Sequence, residues 1–389
     1  MDWKTRIEQI LEEEVQSQRL AGGSVLVFHK GREVLYHQAG AADREARIPL
    51  RRDTIFRIFS MTKPITAAAV MMLVDSGKLD LLEPVSQYLP EFAQMRVCVD
   101  GVLREARNTI TIRDLLQMTS GLVYPTVPGP CGERVQAVYN AAEALRGTGG
   151  SLTTREMARR FAFTPLLFEP GTDWCYGVSA DVLGAVIEAA SGKRFGQFLK
   201  ENIFDALGMT DTDFYVPEEK RRRLAQAYLV TPEQTLEAYE TNYLGISMTM
   251  DAPPAFESGG AGLASTIDDY GRFAGMLLQD GEYAGKRLLS KQAVHMMRGA
   301  SLAERAQRSF TGYPFNRGFT YGLLMRNMRD PENSYQYGSV GEYGWEGWLG
   351  SYFFVAPQEE LTMIFMTQSY DAGYLPCVRR MRNVLLCAL

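Results

Sequence analysis

The sequence predicts an α/β fold of the α+β type. One antiparallel sheet is assembled from both ends of the chain and flanked by helices, with a mostly helical lobe inserted between its halves. Three observations predict it. Strand-like runs lie early, at residues 24–29 and 33–37, and return only late, at 319–325, 351–355 and 361–366. Between Leu79 and about Asp280 the apolar residues recur mostly at helical spacing. Helical patterns also open and close the chain. The expected organisation is one two-lobed unit, with a sheet lobe over 1–80 and 285–389 and a helical lobe over 81–284. A small-molecule site is expected in the cleft between the lobes.

In chain order, Ile7, Ile10, Leu11 and Val15 share one face of a first helix among glutamates and arginines. That is an amphipathic helix and not a signal peptide. Lys30-Gly31 then turns between two short strands, giving a hairpin. After it come Ser60-Met61-Thr62-Lys63 and Pro64, followed by an almost unbroken apolar run to Val74. Proline in the first turn and apolar helix formers behind it read as a buried helix ending near Gly77. Further helices are expected at 112–118, 180–191, 195–207 and 267–278. The proline-rich stretch from Tyr124 to Pro130 is a loop that connects helices or forms a pocket lip. The late strands and a final helix complete the chain.

Composition narrows the function classes. A chain of 389 residues with 46% hydrophobic and 22% charged residues and a net charge of −5 fits a globular enzyme better than a small binding module. Nothing marks a nucleic-acid partner, because the basic run Arg221-Arg222-Arg223 follows Glu218-Glu219-Lys220 and reads as a solvated helix face. The longest apolar stretch, 67–74, is too short to span a bilayer, and the protein is expected to be cytoplasmic with no membrane partner. Five scattered cysteines without C-x-x-C spacing fit reduced thiols. Three histidines lack metal-ligand spacing, so no metal site and no cofactor are expected. No G-x-S-x-G elbow occurs, which argues against a nucleophile–histidine–acid hydrolase. Ser258-Gly259-Gly260-Ala261-Gly262 follows no strand of a βαβ unit and reads as a tight turn entering a helix.

The chemistry is expected at Ser60 and Lys63. Residues three apart on a helix share a face, so hydroxyl and amine can meet. A lysine stripped of water has a lowered pKa and can take the hydroxyl proton, which is S-x-x-K chemistry. The same tetrapeptide also suits a helix-capping serine beside a solvated lysine, so other residues must join it.

They do so in order. Ser60-Met61-Thr62-Lys63, Thr119-Ser120-Gly121-Leu122, Glu169 to Tyr176, Leu207 to Thr212, Ser258 to Leu263 and Gly344-Trp345-Glu346-Gly347 together resemble the serine β-lactamase and penicillin-binding-protein-like superfamily. Within it, the chain looks most like the class C branch and the family VIII carboxylesterases, over nearly its whole length. The resemblance implies a β-lactamase/transpeptidase-like fold, with Ser60 as the acylated nucleophile, Lys63 as its partner and Tyr176 as the tyrosine of the Tyr-x-Asn box. It also implies an oxyanion hole from the backbone N–H groups of Ser60 and Trp348.

Two departures bear on substrate. The asparagine of Tyr-x-Asn is Val178 here, and Trp345-Glu346-Gly347 stands where the lactamases carry Lys-Thr-Gly. Both lost groups hold amide or carboxylate parts of β-lactam and peptide substrates, and a neutral ester needs neither. Substrate contacts are therefore expected from Trp345, Glu346, Gly347, Trp348, Tyr124 and Val178. The implied activity is hydrolysis of small carboxylic esters through a Ser60 acyl-enzyme. The alternatives are a β-lactamase, D-amino-acid peptidase or acyltransferase of the same fold, and, from another class, a non-catalytic ligand- or protein-binding relative. The partner is a small-molecule ester, and the sequence does not give the oligomeric state.

Overall fold

The structure is a computed structural model that describes residues 2–99, 101–231, 233, 235–370 and 376–388. Its main sheet has eight strands: β1 (Gly22–His29), β2 (Arg32–Asp43), β3 (Ile48–Pro49), β4 (Phe319–Tyr321), β5 (Arg326–Met328), β6 (Tyr343–Glu346), β7 (Tyr352–Ala356) and β8 (Leu361–Thr367). They lie in the order β4-β5-β6-β7-β8-β1-β2-β3, every neighbour antiparallel. The two ends of the chain therefore join between β8 and β1, where Gly23 pairs with Thr367 and His29 with Leu361. Lys30 and Gly31 both hold positive φ, 52° and 72°, as a two-residue hairpin turn requires.

The central strands are apolar on both sides because both faces are covered. Val25 and Val27 of β1, Phe354 of β7 and Met363 and Phe365 of β8 pack against the terminal helices, Trp3–Gln16 and Pro376–Cys387. The alternate residues, Leu26, Phe353 and Ile364, point to the opposite face. There the helix Ile267–Leu278 lies close enough that a Cβ at Gly271 would sit 3.2 Å from Leu26. Beyond it the helix Thr62–Asp75 is buried nearly all round, wedged between the sheet side and the helix Ser179–Ser191 of the middle segment. Among the described residues, no helix is long and apolar enough to cross a membrane.

One expectation needs correction. Residues 319–325 do not form one strand: Gly322 to Met325 turn, with Leu324 at φ 57° and Gly322 N–H bonded to Met325 O, and the chain returns as β5. The basic run Glu218–Arg223 is a solvated 3-10 helix with no buried residue, in which Lys220 and Arg223 pair with Asp211. The helical middle also carries small strand pairs, 96–99 with 102–105 and 228–230 with 236–238.

Candidate active site

Phe59–Met61 form a 3-10 turn that runs straight into the buried helix. Phe59 holds φ at 41°, a conformation costing a non-glycine residue on the order of 1–2 kcal/mol. Its surroundings impose it. Ile58 N–H bonds to Leu263 O (3.0 Å), Leu263 N–H to Thr62 Oγ1 (3.1 Å), and the Tyr270 hydroxyl donates to Met61 O (2.9 Å). The Phe59 ring meets Trp348, 5.1 Å between centroids. As a result Phe59 and Met61 are buried while Ser60 between them stays partly open to solvent.

Lys63 lies one turn on and is fully buried. Its Nζ donates to Gly260 O (2.8 Å) and the Tyr124 hydroxyl (3.0 Å), and lies 3.2 Å from Ser60 Oγ. The amine also sits over the Tyr176 ring, 4.5 Å from its centroid. Burial lowers the Lys63 pKa to about 7, opposed in part by the charge of Asp181. A neutral amine has two donors and one lone pair, which matches these partners with the lone pair left for the Ser60 proton.

Tyr176 completes the cluster. Burial raises its phenol well above the ordinary range, partly offset by hydrogen bonds with Ser60 and with Trp345. Trp345 Nε1–H donates to the Tyr176 oxygen at 3.0 Å. A phenol held in this way stays protonated at neutral pH, and Lys63 is the group with an available electron pair.

The other expected residues scatter. Tyr124 is buried, its hydroxyl on Lys63 and its ring edge-on to Tyr176 at 5.5 Å, so it supports the amine and is not a pocket lip. Val178 is fully buried in the main core and offers the cleft no surface. Glu346 is held by an ion pair with Arg326 (2.6 Å). Gly347 is where β6 meets the nucleophile turn: a Cβ there would lie 2.5 Å from Ile58 O and 2.1 Å from Ser351 Oγ. Only glycine permits that approach. Trp348 follows in a turn closed by Gly350 N–H to Gly347 O (2.9 Å), and among the described residues its own N–H has no partner.

Several residues of the site escape the sequence reading. Asp181 is buried in the first turn of the helix Ser179–Ser191, where it accepts from the Ser258 hydroxyl and from Gly260 N–H (3.1 Å). The available signal was an acid in the first turn of a strongly apolar helical run, whose other acid, Glu188, lies near the far end. Tyr243 stacks on Trp348 (4.2 Å, 13°), with Tyr370 and Tyr239 at 4.5 and 5.6 Å, forming a partly exposed aromatic wall. Tyr239 and Tyr243 come from irregular segments and Tyr370 from a two-residue strand, and no local pattern marks them.

A sheet closed by both termini, with a serine–lysine turn beside its strand β6, is matched by known proteins. Residues 7–384 match the family described as Beta-lactamase. The chain belongs to the Beta-lactamase family. This member is 34% identical to Protein Rv1367c of Mycobacterium tuberculosis (strain ATCC 25618 / H37Rv) over 359 residues, 90% of this chain and 86% of that one. It is 31% identical to Esterase EstB of Burkholderia gladioli over 379 residues, 95% and 91% of the two chains. Among solved structures, EstCE1, a hydrolase with promiscuous acyltransferase activity, superposes with a TM-score of 0.82 at 27% identity, covering 98% of each chain. The resemblance read from the motifs is to this same family, and the chain is an enzyme of the β-lactamase fold.

Proposed function

We propose that this family member is a carboxylesterase, similar to the family VIII enzymes, that cleaves small esters through an acyl-enzyme on Ser60. The observation that carries the reading is the continuous set Ser60–Lys63–Tyr176, with the Trp345 indole on Tyr176 where a lactamase would offer a lysine. Lys63 takes the Ser60 proton as Oγ attacks the ester carbonyl. The N–H groups of Ser60 and Trp348 receive the developing oxyanion. Tyr176 passes its proton to the departing alkoxide and regains one from the Lys63 ammonium, which returns to the free amine. Water then repeats the sequence on the acyl-enzyme and releases the acid. The similarity to Esterase EstB supports the same substrate class. Transfer of the acyl group to an alcohol in place of water is the second reading, supported by the similarity to EstCE1.

Intact-protein mass spectrometry with p-nitrophenyl esters and a chromogenic cephalosporin tests the reading. An acyl adduct on the wild type that is absent from Ser60→Ala, with kcat/KM for a short-chain ester at least roughly 10²-fold above that for the cephalosporin, is the expected result. Near-normal ester turnover by folded Ser60→Ala removes Ser60 from the mechanism. Equal efficiency on the two substrates replaces the esterase with a β-lactamase.

A further inference from the structure

The Lys63 amine is fully buried, and one ionisable acid shares its surroundings. Asp181 is 2% exposed and enters from the helix Ser179–Ser191, opposite the helix that carries Lys63. The two are joined through a single residue: Gly260 gives its N–H to Asp181 (3.1 Å) and its carbonyl to Lys63 (2.8 Å). A Cβ on Gly260 would meet the Tyr124 hydroxyl at 2.9 Å and Asp181 Oδ2 at 3.0 Å, so carboxylate, phenol and turn are in mutual contact. The Ser258 hydroxyl supplies a second donor to the carboxylate while accepting from Ala261 N–H (3.0 Å), which closes the turn on itself.

We propose that Asp181 is a positioning residue for the hydrolysis assigned above: its buried negative charge balances the Lys63 ammonium formed in each cycle, and its hold on the Ser258–Gly262 turn aims the amine at Ser60. This inference rests on that reading for its catalytic meaning. A buried cation without a counter-charge is strongly disfavoured, so a base that must become an ammonium after accepting the Ser60 proton needs an anion within reach. The other ionisable groups facing Lys63 are phenols and a hydroxyl: Tyr124 from the loop before Pro125, Tyr176 from the loop before the Asp181 helix, and Ser60 from the 3-10 turn that leads into the Lys63 helix. Asp181 itself faces Lys63, Ser258 and the phenols Tyr124, Tyr139 and Tyr176. Among these groups only Asp181 is a carboxylic acid, the one that can supply a full negative charge beside the amine. Burial pushes its carboxyl above the usual range, and the Ser258 hydroxyl, the Lys63 charge and the Gly260 N–H oppose that rise in part.

The charge and the packing contributions predict opposite signs. Asp181→Asn keeps the shape and removes the charge, so the ammonium becomes harder to form and the Lys63 midpoint falls. If Asp181 served only packing, loosening the turn would admit water and raise the midpoint toward that of an ordinary lysine. Lys63 is observed directly in protein labelled with carbon-13 lysine, its resonance assigned by its loss in Lys63→Met. We expect the Lys63 midpoint, and with it the acid limb of kcat/KM for p-nitrophenyl butyrate, to fall by about one pH unit or more in Asp181→Asn. Asp181→Glu should return both toward wild type. Ser258→Ala, which removes one donor to the carboxylate, should shift them the same way by less, and it decides the matter if Asp181→Asn does not fold. A midpoint that stays put or rises in the folded variants overturns the proposal. The resonance does not depend on turnover, so a wild type without Ser60-dependent esterase activity would sink the functional reading and leave this test standing.

Discussion

Lys63 has to be a base and then an acid within one cycle, and its burial suits it to both. With its pKa lowered to about 7, the amine is half free near neutrality. Below that pH it holds its proton and cannot accept another from Ser60; above it the lone pair is available. The kcat/KM of the wild type should therefore climb through about pH 7 and level off, as read with an ester whose own hydrolysis is slow. Since Lys63 and Tyr176 touch the same serine, they should act as one unit. Lys63→Ala and Tyr176→Phe should each lower kcat by a factor on the order of 10² or more, with the double variant little worse than the worse single. Independent, multiplicative losses would assign them to separate steps. Legibility at this scale followed chain distance. Ser60 and Lys63 are neighbours by helical spacing alone, whereas Tyr124, a loop residue 61 positions from Lys63, gives no sign that its hydroxyl belongs on that amine. Val178 was misplaced because a motif box gives a position in the chain but not the direction in which a side chain turns.

At the scale of elements, the joint between β6 and the nucleophile turn is the sensitive one. Gly347 lies against the Ile58 carbonyl, and any Cβ there must push β6 away from Phe59 and Ser60. Gly347→Ala should therefore lower kcat on the order of 10²-fold, the usual loss when an oxyanion donor is misplaced. The fold should survive, with a stability loss of about 1–3 kcal/mol from overpacking. Circular dichroism and single-turnover kinetics check both halves of that statement. Most elements were legible because their apolar periods are strong, as in the helix Ile267–Leu278 and the strands β1, β7 and β8. The failures occurred where side-chain pattern and backbone disagree. The run 319–325 is strand-like in composition, yet its middle is a turn fixed by Leu324 N–H on Leu116 O (2.8 Å), a contact made by a distant helix.

For the molecule as a whole, the face of the sheet away from the chemistry carries a second, smaller core and a buried ion pair. On the face away from Ser60, Arg382 of the C-terminal helix is fully buried against Glu342, and it also bonds to the Tyr352 hydroxyl and Tyr337 O. Taking the charge from one member of such a pair leaves the other buried without its counter-ion. Glu342→Gln should accordingly destabilise the fold by on the order of 3 kcal/mol in chemical denaturation, with kcat per folded molecule unchanged. A matching loss of kcat would mean that the sheet transmits strain between its faces. The two-ended sheet was legible from where the strand signals lie, but the buried pair was not, since an arginine in a terminal amphipathic helix ordinarily points to water.

The junction of β1 with β8 also has a consequence for biosynthesis. Thr367 Oγ1 bonds to Gly22 O (2.7 Å), a contact between residues 345 positions apart. A nascent chain leaving the ribosome amino end first displays the β1–β2 hairpin with one apolar edge unpaired through nearly the whole of translation. The sheet cannot close until residues 361–367 have been polymerised and have cleared the exit tunnel. Chains stalled short of that point should remain protease-sensitive and associated with chaperones, and protection should arrive in one late step as β8 docks between β7 and β1.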